Sequence, residues 1–376
     1  MFKTKDHTKI FYGKTIDIIC TKESKFPGIY TIQRVRPNNI YQISYNGISD
    51  NLICLWIGNK NQRHIQTLLT KSLVAKLNDT TYKVHYHNKK DSEKFFCDCI
   101  YPIVVKADGL AAGKGVYICE DKNQATIAVN EIFDGKFGKA EKILVEEFLN
   151  GEEMSFFIIS DGKNFKLFKT AQDHKRVFEG DEGKNTGGMG AYCPSGLIND
   201  NLEKKIIEKI ILPTFKAIKE MGEKYKGFLY AGLMISNNEP FLIEYNVRMG
   251  DPECQTILPL LKTDLTDIFK ACCDENLENL KIEWKEEKSL CVVLCSKGYP
   301  DKFDNNIKIN NLNNLKLNNN DFIFHAGTKI KENKVFSNGG RVLNFVSISS
   351  SFKNSRDRAI NLINQLNWKN GFFRKD

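Results

Sequence analysis

"PIVVKADGLAAGKGV", Pro102–Val116, runs an apolar stretch up to Lys106 and then opens a loop carrying Gly109, Gly113 and Gly115. The best-known phosphate loop, G-x-x-x-x-G-K-[ST], places a lysine on the phosphates and a hydroxyl on magnesium. This stretch does not fit it: Gly109 to Gly113 is one residue too short, and Gly115 stands where Ser or Thr is needed. The dinucleotide pattern G-x-G-x-x-G is absent too. What remains is a lysine at a strand end, a point charge for phosphate, followed by glycines whose backbone N–H groups can approach anionic oxygens. A glycine-rich strand connection with a surface lysine accounts for the stretch equally well.

Working outward, the pattern predicts a strand over Ile103–Lys106, a second over Val116–Cys119 and a helix from Asp121 to about Phe133. A strand at Lys142–Glu147 leads through Leu149-Asn150-Gly151 to another at Met154–Ser160, and Asp161-Gly162 reads as a hairpin. Ala171–Pro194 is polar and rich in Gly, Asp, Lys and Asn; it reads as a long functional loop. Asp200, with Glu203 three residues on, reads as the cap of a helix whose apolar positions are Leu202, Ile206, Ile210, Phe215 and Ile218, kinked at Pro213. Strands at Gly227–Ile235 and Pro240–Val247 are joined by the turn Ser236–Glu239, and helices follow from Glu253 to about Cys273.

Beyond a charged linker after Asp274, strands are expected near Cys291–Ser296, Phe322–His325 and Arg341–Ser347, with a last helix from about Phe352. The Asn-rich "NNIKINNLNNLKLNNND" reads as a loose surface excursion. The first hundred residues show no sustained helical or alternating periodicity.

Length, charge and cysteines bound the function. A chain of 376 residues with 41% hydrophobic content has material for two or three domains. No apolar run reaches the roughly 20 residues of a membrane span, and the polar start lacks a secretory core, so a cytoplasmic address is expected. The 11 cysteines are scattered without C-x-x-C spacing and the 6 histidines without paired-ligand spacing, so buried reduced thiols are expected and any metal should be oxygen-bound. The net charge of +9 comes from interleaved lysines and acids, which favours anionic small substrates over nucleic acid.

Three further segments carry candidate chemistry. In "IEYNVRMGDPE" an extended strand puts Glu244, Asn246 and Arg248 on one face and Ile243, Tyr245 and Val247 on the other. Glu244 and Asn246 could offer oxygens to magnesium, and Arg248 a bidentate fork to a carboxylate or phosphoryl group; an exposed polar edge is the plainer reading. "QDHKRVFEGDEGKNTGGMGAY" sets Asp173, His174, Lys175 and Arg176 beside Gly187-Gly188-Met189-Gly190, where free backbone N–H groups would suit a phosphorylated substrate; composition alone slightly favours a mobile charged loop. "VEEFLNGEEMSF" could present a hinge to a purine edge and a carboxylate to a ribose, although alone it reads as a charged hairpin.

In this order, the segments resemble the ATP-grasp ligases and, more closely, the phosphoribosylamine–glycine ligase family. "PIVVKADGLAAGKGV", "VEEFLNGEEMSF", "DHKR", "NTGGMGAY", "GFLYAGLMI" and "IEYNVRMGDPE" carry the resemblance, with "FHAGTK" and "SNGGRVL" extending it from about Tyr101 to the end. It implies an α/β (α+β) ATP-grasp fold of two α+β subdomains over 63–276, a small β-rich C-terminal domain over 277–376 and an atypical N-terminal segment over 1–62. It also implies ATP-dependent ligation of glycine to 5-phosphoribosylamine in purine synthesis, with magnesium or manganese, no nucleic-acid or membrane partner, and a monomer as the simplest assembly.

By the same resemblance Lys106 holds the ATP phosphates under a loop of Asp108, Gly109, Gly113, Lys114 and Gly115. Glu146, Glu147, Phe148 and Leu149 form the adenine hinge, and Glu153 meets the ribose. Glu244 and Asn246 bind the metal, and Arg248 joins Lys106 in catalysis, orienting the carboxylate. Asp173, His174, Lys175, Arg176, Asn185, Thr186, Gly187, Gly188 and Met189 contact the acceptor. The family's opening "GGREHAL"-like turn does not occur in residues 1–100, and the chain closes on "FFRKD" slightly short of the usual end. Residues 1–62 therefore read as a diverged domain or a damaged reading frame, in which case ATP binding would survive more readily than turnover. The alternatives are another ATP-grasp carboxylate–amine ligase and a non-catalytic nucleotide-binding relative.

Overall fold

Alternation along Ile103–Ala107 buries Ile103, Val105 and Ala107 against one side and turns Val104 and Lys106 to the other. The computed structural model describes residues 15–20, 28–35, 40–45, 83–86, 89–107, 115–140, 142–220 and 222–376, the first four stretches by backbone alone. The Ile103–Ala107 strand is central in an antiparallel sheet ordered Lys83–Tyr86, Ile143–Glu147, Ile103–Ala107, Val116–Cys119. One face of this sheet packs on the helix Lys122–Phe133 through Ala125, Ala128, Val129 and Ile132. Asp121 caps that helix, its Oδ1 accepting from Gln124 N–H at 2.8 Å.

The second layer is a four-stranded antiparallel sheet ordered Glu239–Asn246, Lys226–Ser236, Glu152–Asp161, Phe165–Leu167. Its two long strands are apolar almost throughout because both faces are covered. Phe156 and Ile158 pack towards Leu202, Ile206, Ile210 and Ile218, while Phe157 and Ile159 pack towards Ile257, Ile268 and Phe269. The cap of the first covering helix is Asn199 rather than Asp200: its Oδ1 accepts from Leu202 N–H at 3.0 Å. A π-helical turn over Ile207–Ile211 adjusts the helix immediately before Pro213, so the irregularity lies one turn upstream of the proline ring.

The third layer is a sheet ordered Gln172–Asp173, Gly190–Cys193, Lys288–Ser296, Arg341–Ser349, Asp321–His325, all antiparallel. The helix Phe352–Leu366 covers it through Ala359, Leu362, Ile363 and Leu366. Ala171–Pro194 is therefore not a structureless loop. It also forms a small hairpin, Arg176–Phe178 with Glu182–Asn185. These strands have two to four residues each and little local signal, and one of them, Gly190–Cys193, is stabilised by pairing with a strand about a hundred residues away. The Asn-rich stretch is likewise anchored: Lys308–Ile309 pairs with Lys334–Ser337, and Ile309 is buried.

The nine described cysteines are all free, with Cys119, Cys193, Cys272, Cys291 and Cys295 buried. Burial pushes the Cys193 thiol up to about 12, which keeps it protonated and unreactive. In the first hundred residues, Thr15–Cys20, Gly28–Val35 and Ile40–Tyr45 form an antiparallel meander that periodicity had not revealed. No described helix is long and apolar enough to cross a membrane.

Candidate active site

Register across the second sheet builds the site in two rows. Ser155, Gly232 and Glu244 lie side by side, and Phe157, Tyr230 and Asn246 occupy the next row on the same face. Asn246 Nδ2 donates to Glu244 Oε1 at 3.2 Å, and Arg248, in the bend just beyond the strand, is exposed, its Nη1 donating to Met249 O at 2.9 Å. Glu244 and Asn246 thus share a face as their spacing predicts, whereas Arg248 lies in the bend beyond the end of the strand. Ile243 does not simply face away: Gly232 pairs with Glu244 and Leu233 with Leu242, so Ile243 is the extra residue of a β-bulge. Leu242 takes the core position beside Tyr245 and Val247.

The segment 172–192 folds over this face. His174 N–H donates to Gly190 O, Met189 N–H to His174 O, and Thr186 N–H to Lys175 O, so residues 173–176 and 185–189 are brought together. Lys175 is ion-paired with Glu153. Burial alone would weaken the Lys175 ammonium, but the charges of Asp173, Glu153 and Glu244 outweigh it and hold its pKa above the usual lysine range. Asp173 is raised, chiefly by burial and further by Glu153, with Lys175 opposing. His174 Nδ1 lies 3.8 Å from Asp181 Oδ1, and Arg176 Nη1 donates to Gly183 O at 2.7 Å.

The glycine loop is not an open anion nest. Gly187 N–H donates to the Tyr299 hydroxyl at 2.9 Å and Gly188 N–H to Thr186 Oγ1 at 3.0 Å, while Met189 N–H is spent on His174. The Met189 side chain is buried with Val293 and Cys295. Gly188 has φ +110°, and a Cβ there would stand 2.4 Å from Pro252 Cδ, which shows how tightly the loop meets the Gly250–Glu253 turn.

Lys106 stands on the first sheet. Cross-strand pairing puts Val104, Lys106, Leu144 and Glu146 on the face opposite the helix, and Lys106 Nζ reaches diagonally to Glu146 Oε2 at 2.6 Å. Ala107 N–H donates to Gly115 O at 2.8 Å, closing the base of the loop between them. Asp108, Gly109, Gly113 and Lys114 of that loop lie outside the described residues. Glu147 lies on the opposite face from Glu146, and Phe148 and Leu149 carry the chain out towards Gly151. A Cβ at Gly151 would stand 2.3 Å from Ile235 O, so this connection runs against the end of the second sheet.

Several residues of the site carry no local sequence signal. Glu253 is 3% exposed and accepts from Ser155 Oγ at 3.0 Å, and Ser155 Oγ lies 2.8 Å from the Tyr230 hydroxyl. Burial, with the Asp173 charge, pushes the Glu253 carboxyl up to about 7. Arg341, from the third sheet, bonds both Gly187 and Asp251. Their positions in "GDPE" and "SNGGRVL" are visible in the sequence, but their partners are distant in the chain.

No cluster of three or more His, Cys, Asp or Glu side chains suited to a metal occurs among the described residues. The Glu244 carboxylate and the Asn246 amide, side by side on an exposed face, make an all-oxygen pair of the kind magnesium takes together with water and phosphate.

Comparison with known proteins assigns this architecture. The model of the phosphoribosylglycinamide synthetase ATP-grasp (A) domain matches residues 66–254, and that of the C domain matches 289–376. The phosphoribosylamine–glycine ligase of Agrobacterium fabrum is 45% identical over 276 residues, 73% of this chain and 65% of that enzyme. That of Brucella melitensis is 41% identical over 309 residues, 82% of this chain and 72% of the other. The chain thus spans just under two thirds of the first relative and somewhat more of the second. The crystal structure of the Thermotoga maritima phosphoribosylamine–glycine ligase superposes with a TM-score of 0.73 at 29% identity, covering 86% of this chain and 83% of that one. The biotin carboxylase domain of Hydrogenobacter thermophilus 2-oxoglutarate carboxylase, solved with MgADP and bicarbonate, shares the fold at 15% identity and a TM-score of 0.60, covering 81% of this chain and 67% of that one. On the two domain matches and the identity to full-length relatives, the chain belongs to the phosphoribosylamine–glycine ligase family, the ATP-dependent ATP-grasp ligases of purine biosynthesis.

Proposed function

We propose that this cleft ligates glycine to 5-phosphoribosylamine, converting ATP to ADP and phosphate and giving glycinamide ribonucleotide, in the cytoplasm. We assign the catalytic unit to residues 63–276 and 277–376, with 1–62 as a separate N-terminal segment. The observation that carries the reading is the pair Glu244 and Asn246 on one strand face with Lys175 brought near it, its ammonium bonding Glu153 and feeling the Glu244 charge.

The glycine carboxylate attacks the γ-phosphorus of ATP, and the amine then displaces phosphate from the glycyl phosphate. Both steps put negative charge on phosphoryl oxygens, so positioning and fixed cations supply most of the catalysis. Lys106, held on the cleft face by Glu146, would meet the phosphates together with the 108–115 loop. Glu146, Glu147, Phe148 and Leu149 would line the adenine and Glu153 the ribose. Glu244 and Asn246 would hold a magnesium or manganese ion, which supplies charge neutralisation at the phosphates. Arg248 would orient the glycine carboxylate by its two-pronged donor edge. With the loop amides satisfied internally, the acceptor's phosphate would be met by side chains of Asp173–Arg176 and Asn185–Thr186, led by the charged Lys175 and Arg176.

The test is ADP release by the purified chain with MgATP and each substrate in turn. Release that needs both glycine and freshly generated phosphoribosylamine is expected. Release driven equally by bicarbonate or D-alanine in place of glycine would overturn the reading.

A further inference from the structure

Gly187 is held on both its N–H and its carbonyl by residues of the C-terminal domain, Tyr299 in the turn after the strand Lys288–Ser296 and Arg341 in the third sheet. Its N–H donates to the Tyr299 hydroxyl at 2.9 Å, and its carbonyl accepts from Arg341 Nη1 at 2.6 Å. The same guanidinium reaches the turn that follows Arg248: Nη1 donates to Asp251 O at 2.8 Å and to Asp251 Oδ1 at 3.2 Å, and Nη2 to Asp251 Oδ2 at 3.0 Å. Arg341 is itself fixed, because its carbonyl accepts from Gly327 N–H at 2.8 Å and the preceding Gly340 carbonyl from Ser296 N–H at 2.7 Å. One planar fork, four of whose contacts are charge-assisted, therefore joins three segments far apart in the chain.

We propose that Arg341 and Tyr299 are positioning residues for the amine acceptor: they lock the 185–190 loop to the Gly250–Glu253 turn and so set the distance between the acceptor side of the cleft and Arg248. The proposal rests on the function given above. Among the described residues, the side-chain hydrogen bonds of the clamp go to the acceptor loop and the turn, and none goes to the sheet carrying Lys106 and Glu146. Its loss should therefore separate the two halves of the reaction. The amine half needs an alignment of a fraction of an ångström, and a shift of about 1 Å can cost on the order of a hundredfold in rate.

The experiment compares wild type with Arg341→Met, Arg341→Lys and Tyr299→Phe. It measures kcat/KM for phosphoribosylamine, KM for ATP and, by calorimetry, the Kd of MgATP. Arg341→Met should lower kcat/KM for the amine by roughly ten- to a hundredfold and leave the MgATP Kd within about twofold. Lysine, which keeps a charge but not the fork, should restore part of the loss. Tyr299→Phe removes a single hydrogen bond while keeping the ring, so it decides the matter if Arg341→Met does not fold: it should raise KM for the amine several-fold with ATP parameters unchanged. Unaltered amine kinetics in the folded variants, or equal losses for amine and ATP, would overturn the proposal. A wild type without glycine-dependent turnover would instead remove the functional reading beneath it.

Discussion

At Glu253 a carboxyl group is kept 3% exposed beside the Asp173 charge, with Ser155 as a donating side chain. Burial disfavours the charged form, so its pKa rises from 4.5 to about 7 on folding. A raised carboxyl means that the folded state binds the proton more tightly than the unfolded chain. The stabilisation is complete below about 4.5 and is lost as pH climbs through about 7. Glu253→Gln removes the titration. The difference in denaturant stability between variant and wild type should therefore swing in the variant's favour between about pH 4.5 and 7, and a difference flat across that window would refute the assignment. Lys106 shows the opposite design, a cation with a close carboxylate partner at 2.6 Å on the sheet face opposite the helix.

Among the elements, the last helix is tied to the third sheet by one buried acid. Asp321 accepts from Arg358 Nε at 3.0 and 2.8 Å, from Ser347 Oγ at 2.9 Å and from Asn318 N–H at 3.0 Å. Burial alone would raise its pKa, but these donors prevail and hold it below the usual aspartate range. Arg358→Met leaves that carboxylate without its cation; because Arg358 is part exposed, the cost should be about 2–3 kcal/mol rather than the larger penalty of a wholly buried pair. Thermal or urea unfolding of the variant measures it, and a change below about 0.5 kcal/mol would contradict the account.

Elements whose apolar runs are bounded by turn or capping residues were legible in the sequence. The strands at Ile103, Val116 and Gly227 and the helix to Phe133 fall within a residue or two of their predicted limits. That Glu244 and Asn246 share a face was legible because period-2 alternation survives on that side of the bulge. The bulge at Ile243 was not, since an extra residue is fixed by the partner strand rather than by its own neighbours. The short strands of 172–193 were hidden for the same reason, and with them the fact that the glycine loop spends its amides internally. Arg341 and Tyr299 gave no signal, because a clamp between residues over a hundred positions apart is written in no local pattern.

On the scale of the whole molecule, the segment 172–193 leaves the ATP-grasp sheet after Leu167, pairs into the C-terminal sheet through Gly190–Cys193 and returns. The two matched family domains are therefore joined by a shared sheet, and the site is assembled from both. The central claim is that this assembly activates glycine by phosphorylating its carboxylate. Glycine labelled with oxygen-18 in the carboxylate tests it most directly, by mass spectrometry of the phosphate released during turnover with MgATP and phosphoribosylamine. The account predicts one labelled oxygen in each phosphate formed, because the oxygen that attacks the γ-phosphorus leaves with it. Unlabelled phosphate accompanying ADP would contradict it.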